Sequence, residues 1–282
     1  MKTMIQTVTT AHFQMRYFRF GTPGKQPMVI LPGLSVKSVM DSADAVVAAY
    51  QLAAPDYDIY LFDRRSDLPS VYSVHDMAED TAAAMKALGL RDVCLFGVSQ
   101  GGMISQIIAI EHPELVKALV LASTTAKVSE TAQKGMDTWL PLAKAGDAKG
   151  LTEAFMHLLY SEQMLANNQD VIASLSEGVT AEDMARFSIL AKAAENFDVL
   201  SRLGSVQSPA QGSVQGQAQG SVQCPVLVLG ARQDRVLGQD ASEELARALG
   251  CESYIYEDYG HAVYDEAPDF LARVCEFFGR VC

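Results

Sequence analysis

Six short runs along the chain are apolar at nearly every position: Met28 to Leu31, Ile59 to Phe62, Val93 to Phe96, Ala118 to Leu121, Val226 to Leu229 and Ser253 to Tyr256. A strand that is apolar on both faces belongs in a covered parallel sheet, because a half-exposed strand would alternate with polar residues. Between these runs lie segments of helical period at about 41–53, 75–88, 100–112, 240–249 and 267–278. The strand-helix alternation predicts an α/β fold with a mostly parallel, doubly wound sheet. Local signals punctuate it. Ser73-Val74-His75-Asp76 and Asp240-Ala241-Ser242-Glu243 read as capping boxes, Pro113 stops a helix, and Gly89 and Gly250 end two others. The loosely alternating stretch Gln14 to Phe20 suits an antiparallel hairpin at the sheet edge.

Two segments break the alternation. Residues 126–203 carry helical periodicity without a convincing strand, over Ala132 to Ala145, Leu151 to Leu165, Val171 to Leu175 and Ala181 to Ala194. This predicts a helical cap over the sheet. Residues 204–223 are five tetrads that each end in glutamine, a polar low-complexity composition expected to form a flexible surface loop without chemistry of its own. The expected organisation is therefore a core of 1–125 and 224–282, a cap at 126–203 and a loop at 204–223.

Charge narrows the function classes. Lys plus Arg number 22 against 34 Asp plus Glu, a formal charge of −12, which opposes binding to nucleic acid or an anionic membrane surface. The five cysteines show no C-x-x-C pair or zinc spacing, and their odd number argues against a complete disulfide framework. With no apolar leader at the N-terminus and no apolar run long enough to span a bilayer, the expectation is a cytoplasmic protein.

The most informative motif is Gly97-Val98-Ser99-Gln100-Gly101-Gly102, set between the run Val93 to Phe96 and a buried helical stretch. A serine at the apex of a sharp strand-to-helix turn is held in strained backbone geometry, and near-absent side chains two residues either side let strand and helix meet. A hydroxyl is a weak nucleophile at neutral pH, so Ser99 requires a base, and the base requires a carboxylate to fix its tautomer. Among the histidines, His12, His75, His112 and His157 have readier roles as cap, surface or lid residues. His261 follows the last strand on a loop at the carboxyl edge of the sheet, where open α/β folds place their sites. Asp234, at the end of the penultimate strand, is the preferred carboxylate, with Asp258 and Asp265 as competitors close to His261 in sequence. An oxyanion would require two N–H donors, for which the main-chain groups of Gln100 and of Leu34 in Pro32-Gly33-Leu34-Ser35 are the candidates.

Together with Leu31-Pro32-Gly33-Leu34, Asp63-Arg64-Arg65, His112-Pro113-Glu114-Leu115-Val116 and Gly260-His261 followed by Glu266-Ala267-Pro268, these residues make the chain resemble the α/β-hydrolase superfamily with a helical cap. It departs from the pattern at Pro32-Gly33, where His-Gly is usual, and in the tetrads. The resemblance implies no metal and no organic cofactor. It also implies a serine hydrolase that cleaves a carboxylic ester or thioester of a small-molecule acyl substrate through an acyl-enzyme on Ser99. Lactonase, carbon–carbon bond hydrolase and acyltransferase use the same triad, and a receptor-like binder of negligible turnover is the rival from another class. Met136, Trp139, Leu140, Phe155, Met156, Leu159, Tyr160, Met164, Met184 and Phe187 could supply an apolar pocket for a small or medium acyl group, about a third of them lining it and the rest packing the helices.

Overall fold

The structure is a computed structural model that describes residues 2–204 and 222–282; most of the tetrad segment lies outside the described residues. The chain runs β1 (Ile5–Thr9), β2 (Gln14–Gly21), β3 (Gln26–Leu31), α1 (Ala43–Ala49), β4 (Tyr57–Arg65), α2 (Val74–Ala87), β5 (Val93–Val98), α3 (Gln100–Glu111) and β6 (Val116–Ala122). Five helices follow: α4 (Glu130–Ala145), α5 (Ala148–Leu159), α6 (Glu162–Asn167), α7 (Gln169–Leu175) and α8 (Ala181–Lys192). The chain then returns to the sheet with β7 (Val226–Ala231), α9 (Ala241–Leu249), β8 (Glu252–Tyr256), α10 (Val263–Glu266) and α11 (Phe270–Val281).

The eight strands form one sheet in the order β1-β2-β4-β3-β5-β6-β7-β8. β1 and β2 pair antiparallel at one edge, as does β2 with β4, and every later pair is parallel. The period of two is visible within β5. Val93 and Leu95 join the core with Met77 and Met85 of α2 and Ile104 and Ile108 of α3, whereas Cys94, Phe96 and Val98 join the opposite core with Phe270, Val274 and Phe278 of α11. Both faces of the strand are thus covered, which is why it reads as an unbroken apolar run.

Some local expectations need correction. Ser73 and Asp76 form the reciprocal capping box at α2, but Asp240 makes no side-chain cap at α9. Its backbone is already helical, φ −101° and ψ −6°, and its carboxylate lies 3.5 Å from Arg232 instead. The helix expected over 41–53 is shorter: a 3₁₀ turn at Val39–Ser42 precedes α1, which ends at Ala49. Pro268 disfavours helical backbone just before it, leaving Ala267 extended and splitting the last helical segment into α10 and α11. The periodicity over 151–165 is interrupted at Tyr160, which is extended before Ser161 caps α6. Cys94 and the C-terminal Cys282 are placed as a pair with Cα atoms 6.9 Å apart, which the odd cysteine count did not anticipate; α11 carries the chain end back under β5. No helix among the described residues is long and apolar enough to cross a membrane.

Candidate active site

The turn from β5 into α3 forces Ser99 to φ 52° and ψ −120°, in the region that side chains other than glycine rarely adopt. The surrounding glycines are explained by what a Cβ would meet. At Gly97 it would lie 2.3 Å from Ser105 Oγ, at Gly101 2.0 Å from the Leu31 carbonyl oxygen, and at Gly102 2.6 Å from Thr124. The strain at Ser99 is held by its own main chain. Its N–H donates to the Ala122 carbonyl at 2.9 Å, and its carbonyl accepts from the Thr124 hydroxyl at 2.8 Å.

Three strand ends bring the expected side chains together. His261 Nε2 lies 3.0 Å from Ser99 Oγ, and His261 Nδ1 lies 2.8 Å from Asp234 Oδ2. The other carboxylate oxygen of Asp234 accepts the main-chain N–H groups of Val236 and Leu237, each at 2.8 Å. Those bonds fix the plane of a carboxylate that is only 6% exposed, beside an imidazole that is 2% exposed. A carboxylate fixed at Nδ1 favours the tautomer with a proton there, leaving Nε2 free to accept from the serine.

The competing residues are placed elsewhere. Asp265 accepts a hydrogen bond from the Tyr160 hydroxyl at 2.8 Å, and Asp258 is exposed. His75 and His112 pair with Glu111 and Glu79 on the outer faces of α2 and α3, while His12 and His157 are exposed. His75, Glu79 and Glu111 are the one grouping among the described residues with ligand atoms close enough to hold a metal ion. Arg202 already pairs with Glu111 and His112 with Glu79, which accounts for the cluster as a surface ion-pair network.

Gly33 packs directly against the serine, its Cβ position lying 3.1 Å from Ser99 Cβ, so the Pro32-Gly33-Leu34-Ser35 turn reaches the site as expected. The main-chain N–H groups of Leu34 and Gln100 find no protein acceptor among the described residues. Gly33, Leu34, Ser99, Gln100 and His261 line one cavity of about 60 Å³, closed on the other side by apolar side chains that include Met136, Trp139, Phe155 and Leu159. Met156, Tyr160 and Met164 line an adjoining cavity instead. Phe187 is fully buried, edge-on to Trp139 and Phe155, and Met184 packs in the same helical core.

Arg64 was legible only as part of a motif, yet it underlies both candidate donors. Its guanidinium donates to the Pro32 carbonyl at 2.9 Å and lies 3.4 Å from Gln100 Oε1, while Gln100 Nε2 donates to the Leu190 carbonyl of α8 at 2.6 Å. Burial lowers the Arg64 guanidinium to about 10. The adjacent Asp63 is buried among Ser38, Arg16 and Arg186, and the Arg186 contact ties α8 to the end of β4. A second set of contacts ties the end of α5 to the histidine loop. Ala262 N–H donates to the Leu159 carbonyl at 2.9 Å, Glu266 accepts both the N–H and the hydroxyl of Ser161, and Arg235 donates to the Tyr160 carbonyl at 2.6 Å. No sequence signal marked these contacts, because they join positions 75 to 105 residues apart.

A family model described as the alpha/beta hydrolase fold matches residues 26–268. A protein of Rhizobium rhizogenes named "Putative carbamate hydrolase RutD" is 24% identical over 234 residues, covering 79% of this chain and 83% of that protein. Among solved structures, MGS-M2, described as an alpha/beta hydrolase enzyme from a Medee basin deep-sea metagenome library, superposes with a TM-score of 0.81 at 23% identity, covering 97% of each chain. The enol-lactonase of Burkholderia xenovorans LB400 superposes with a TM-score of 0.77 at 17% identity, covering 97% of this chain and 100% of that one.

Proposed function

The chain belongs to the α/β-hydrolase fold family, and we propose that it is a serine hydrolase that cleaves a carboxylic ester or thioester of a short acyl group. The observation that carries the reading is the relay of Asp234 Oδ2, His261 and Ser99 Oγ at 2.8 and 3.0 Å, behind a nucleophile on a strained turn. In this mechanism Ser99 Oγ attacks the acyl carbon as its proton passes to His261 Nε2. Asp234 holds the imidazole and stabilises its charged form. The oxyanion is received by the main-chain N–H groups of Leu34 and Gln100, each donor of this kind being worth roughly 3–4 kcal/mol of barrier. His261 returns the proton to the leaving oxygen or sulfur, and water then attacks the acyl-enzyme by the same route reversed.

The cavity beside the serine supports the short end of the acyl range. That cavity is only about 60 Å³, closed by Met136, Trp139, Phe155 and Leu159. A carbamate is the second reading, because the relatives' name points to one and a carbamoyl group is small enough for that cavity.

The experiment is covalent labelling with a fluorophosphonate, wild type against Ser99→Ala, followed by turnover of p-nitrophenyl acetate, butanoate and octanoate and of a p-nitrophenyl carbamate. The expected result is a single adduct on Ser99 and a kcat/KM that falls steeply beyond the butanoate. Folded protein that takes no label overturns the proposal in favour of a ligand-binding role. A label with carbamate turnover alone selects the second reading.

A further inference from the structure

Next to the serine's cavity lies a larger one of about 420 Å³, and the two share Gly33, Leu34, Phe155, Leu159 and Tyr264 in their walls. The larger lining mixes aliphatic side chains with polar ones, Ser35, Lys37, Ser38, Ser42, Thr152 and Asn168 among them, and its one acidic group among the described residues lies with three tyrosines. Tyr50, Tyr160, Tyr264 and Asp265 meet there, drawn from α1, the end of α5 and α10. Only one hydrogen bond among the described residues satisfies this group, from the Tyr160 hydroxyl to Asp265 Oδ2 at 2.8 Å. The Tyr50 and Tyr264 hydroxyls and Asp265 Oδ1 have no protein partner among those residues. Asp265 is exposed at the rim of the chamber, beside the half-buried rings of Tyr50, Tyr160 and Tyr264. Burial, and then the charge of Asp265, drives the Tyr264 hydroxyl well above its ordinary range.

A purely structural role would need only the Tyr160 bond. The second carboxylate oxygen and the two hydroxyls are left open to a donor or acceptor that enters the chamber. Position adds to this. Tyr264 follows three residues after His261, and its ring stands edge-on to the imidazole with centroids 6.5 Å apart. Tyr264 thus stands in the wall that the two cavities share, beside the imidazole, and the second cavity is about seven times larger.

We propose that the larger chamber is the leaving-group site and that Asp265, oriented by Tyr160, selects alcohols that carry a hydrogen-bond donor remote from the scissile oxygen. This rests on the reading of Ser99 as the acyl acceptor. The ester C–O bond breaks as the tetrahedral intermediate collapses, the alcohol oxygen takes the proton from His261, and the free alcohol is held with its distal donor on Asp265. Both a hydroxyl and a protonated amine can make that contact, and only the amine also gains from the carboxylate's charge.

The test compares three acetate esters that share one acyl group: butyl acetate, 4-hydroxybutyl acetate and 4-(dimethylamino)butyl acetate, the last protonated at pH 7. Wild type is expected to favour the two donor-bearing esters over butyl acetate by about tenfold in kcat/KM, mainly through KM. In Asp265→Leu that ratio is expected to fall to about one. Asp265→Asn, which keeps the shape and the Tyr160 contact, is expected to keep the hydroxyl preference and lose the amine preference. Fluorophosphonate labelling of Ser99 in each variant shows that the site is intact. Labelled wild type with equal kcat/KM for all three esters overturns the leaving-group proposal alone, as does a preference that persists in Asp265→Leu. Wild type that neither labels nor cleaves any of the three overturns the hydrolase reading beneath it.

Discussion

Replacing Gly101 by alanine probes the β5-to-α3 turn, the nucleophile elbow at Ser99, without touching a reacting group. The added Cβ would sit 2.0 Å from the Leu31 carbonyl oxygen, 2.5 Å from the Leu31 carbonyl carbon and 2.6 Å from the Pro32 carbonyl oxygen. These are main-chain atoms at the end of β3 and the start of the turn that carries Leu34, so no rotamer change relieves the overlap. Restoring ordinary contact requires a shift of roughly 1 Å of either that turn or the first turn of α3. Each of the two carries one of the proposed oxyanion donors, and a misplacement of about 1 Å costs on the order of 100-fold in rate. Overpacking of this kind also destabilises by about 1–3 kcal/mol, or roughly 2–12 °C in Tm for a chain of this size. Gly279 is the internal control. It lies in α11 with nothing within 4 Å of its Cβ position, so alanine there is expected to raise stability by up to about 1 kcal/mol. The assay is p-nitrophenyl acetate turnover normalised to the fluorophosphonate-reactive fraction, alongside thermal unfolding followed by circular dichroism. Gly101→Ala with more than a third of wild-type kcat, or with the Tm of Gly279→Ala, would refute the steric argument.

Asp234→Asn can still accept the Val236 and Leu237 N–H groups, but its amide donates to His261 Nδ1 and moves the imidazole proton to Nε2; kcat is expected to fall by about 10⁴ with little change in Tm, by single-turnover kinetics and calorimetry. Arg64→Met removes the donors to Pro32 and Gln100 while leaving Asp63 paired with Arg16 and Arg186, so kcat is expected to drop roughly tenfold with KM unchanged; Tm should move by less than about 4 °C, because a desolvated guanidinium with an unpartnered Nε is lost along with its hydrogen bonds. Ser73→Ala removes the α2 cap and is expected to cost about 1 kcal/mol at pH 7. Hydrogen bonds from the Ser73 N–H and hydroxyl hold Asp76 below its ordinary value. Its contribution is therefore full above the unfolded-state pKa and lost as pH falls through the lower folded one, so the Tm gap between variant and wild type should narrow between pH 5 and pH 2.

The sheet was legible because β3, β5, β6 and β7 are covered on both faces, and burial on both faces leaves an unbroken apolar run in the sequence. The elbow was legible because a strained serine between a strand and a helix demands glycines at fixed offsets. Asp234 could be preferred over Asp258 and Asp265 from its place at a strand end, and the structure places it 2.8 Å from His261. What stayed hidden depends on contacts across long separations. Arg64 gains its environment from the Pro32 turn, α3 and α8, none of which its neighbours in sequence specify. The division into a small and a large cavity follows from where Phe155, Leu159 and Tyr264 stand between them, a matter of tertiary placement. Asp240 failed as a cap because sequence spacing gives the residue type and not the backbone angle on which capping depends.

The bonds from Leu159, Tyr160 and Ser161 to Ala262, Arg235 and Glu266 make α5 and the histidine loop one mechanical piece. Lifting α5 off the sheet would pull the backbone next to His261 with it, so a molecule opened along that seam is also switched off. α7 lines the larger cavity through Val171, Ile172 and Leu175, yet contributes no buried residue and makes no hydrogen bond to the histidine loop among the described residues, so its movement leaves the imidazole in place.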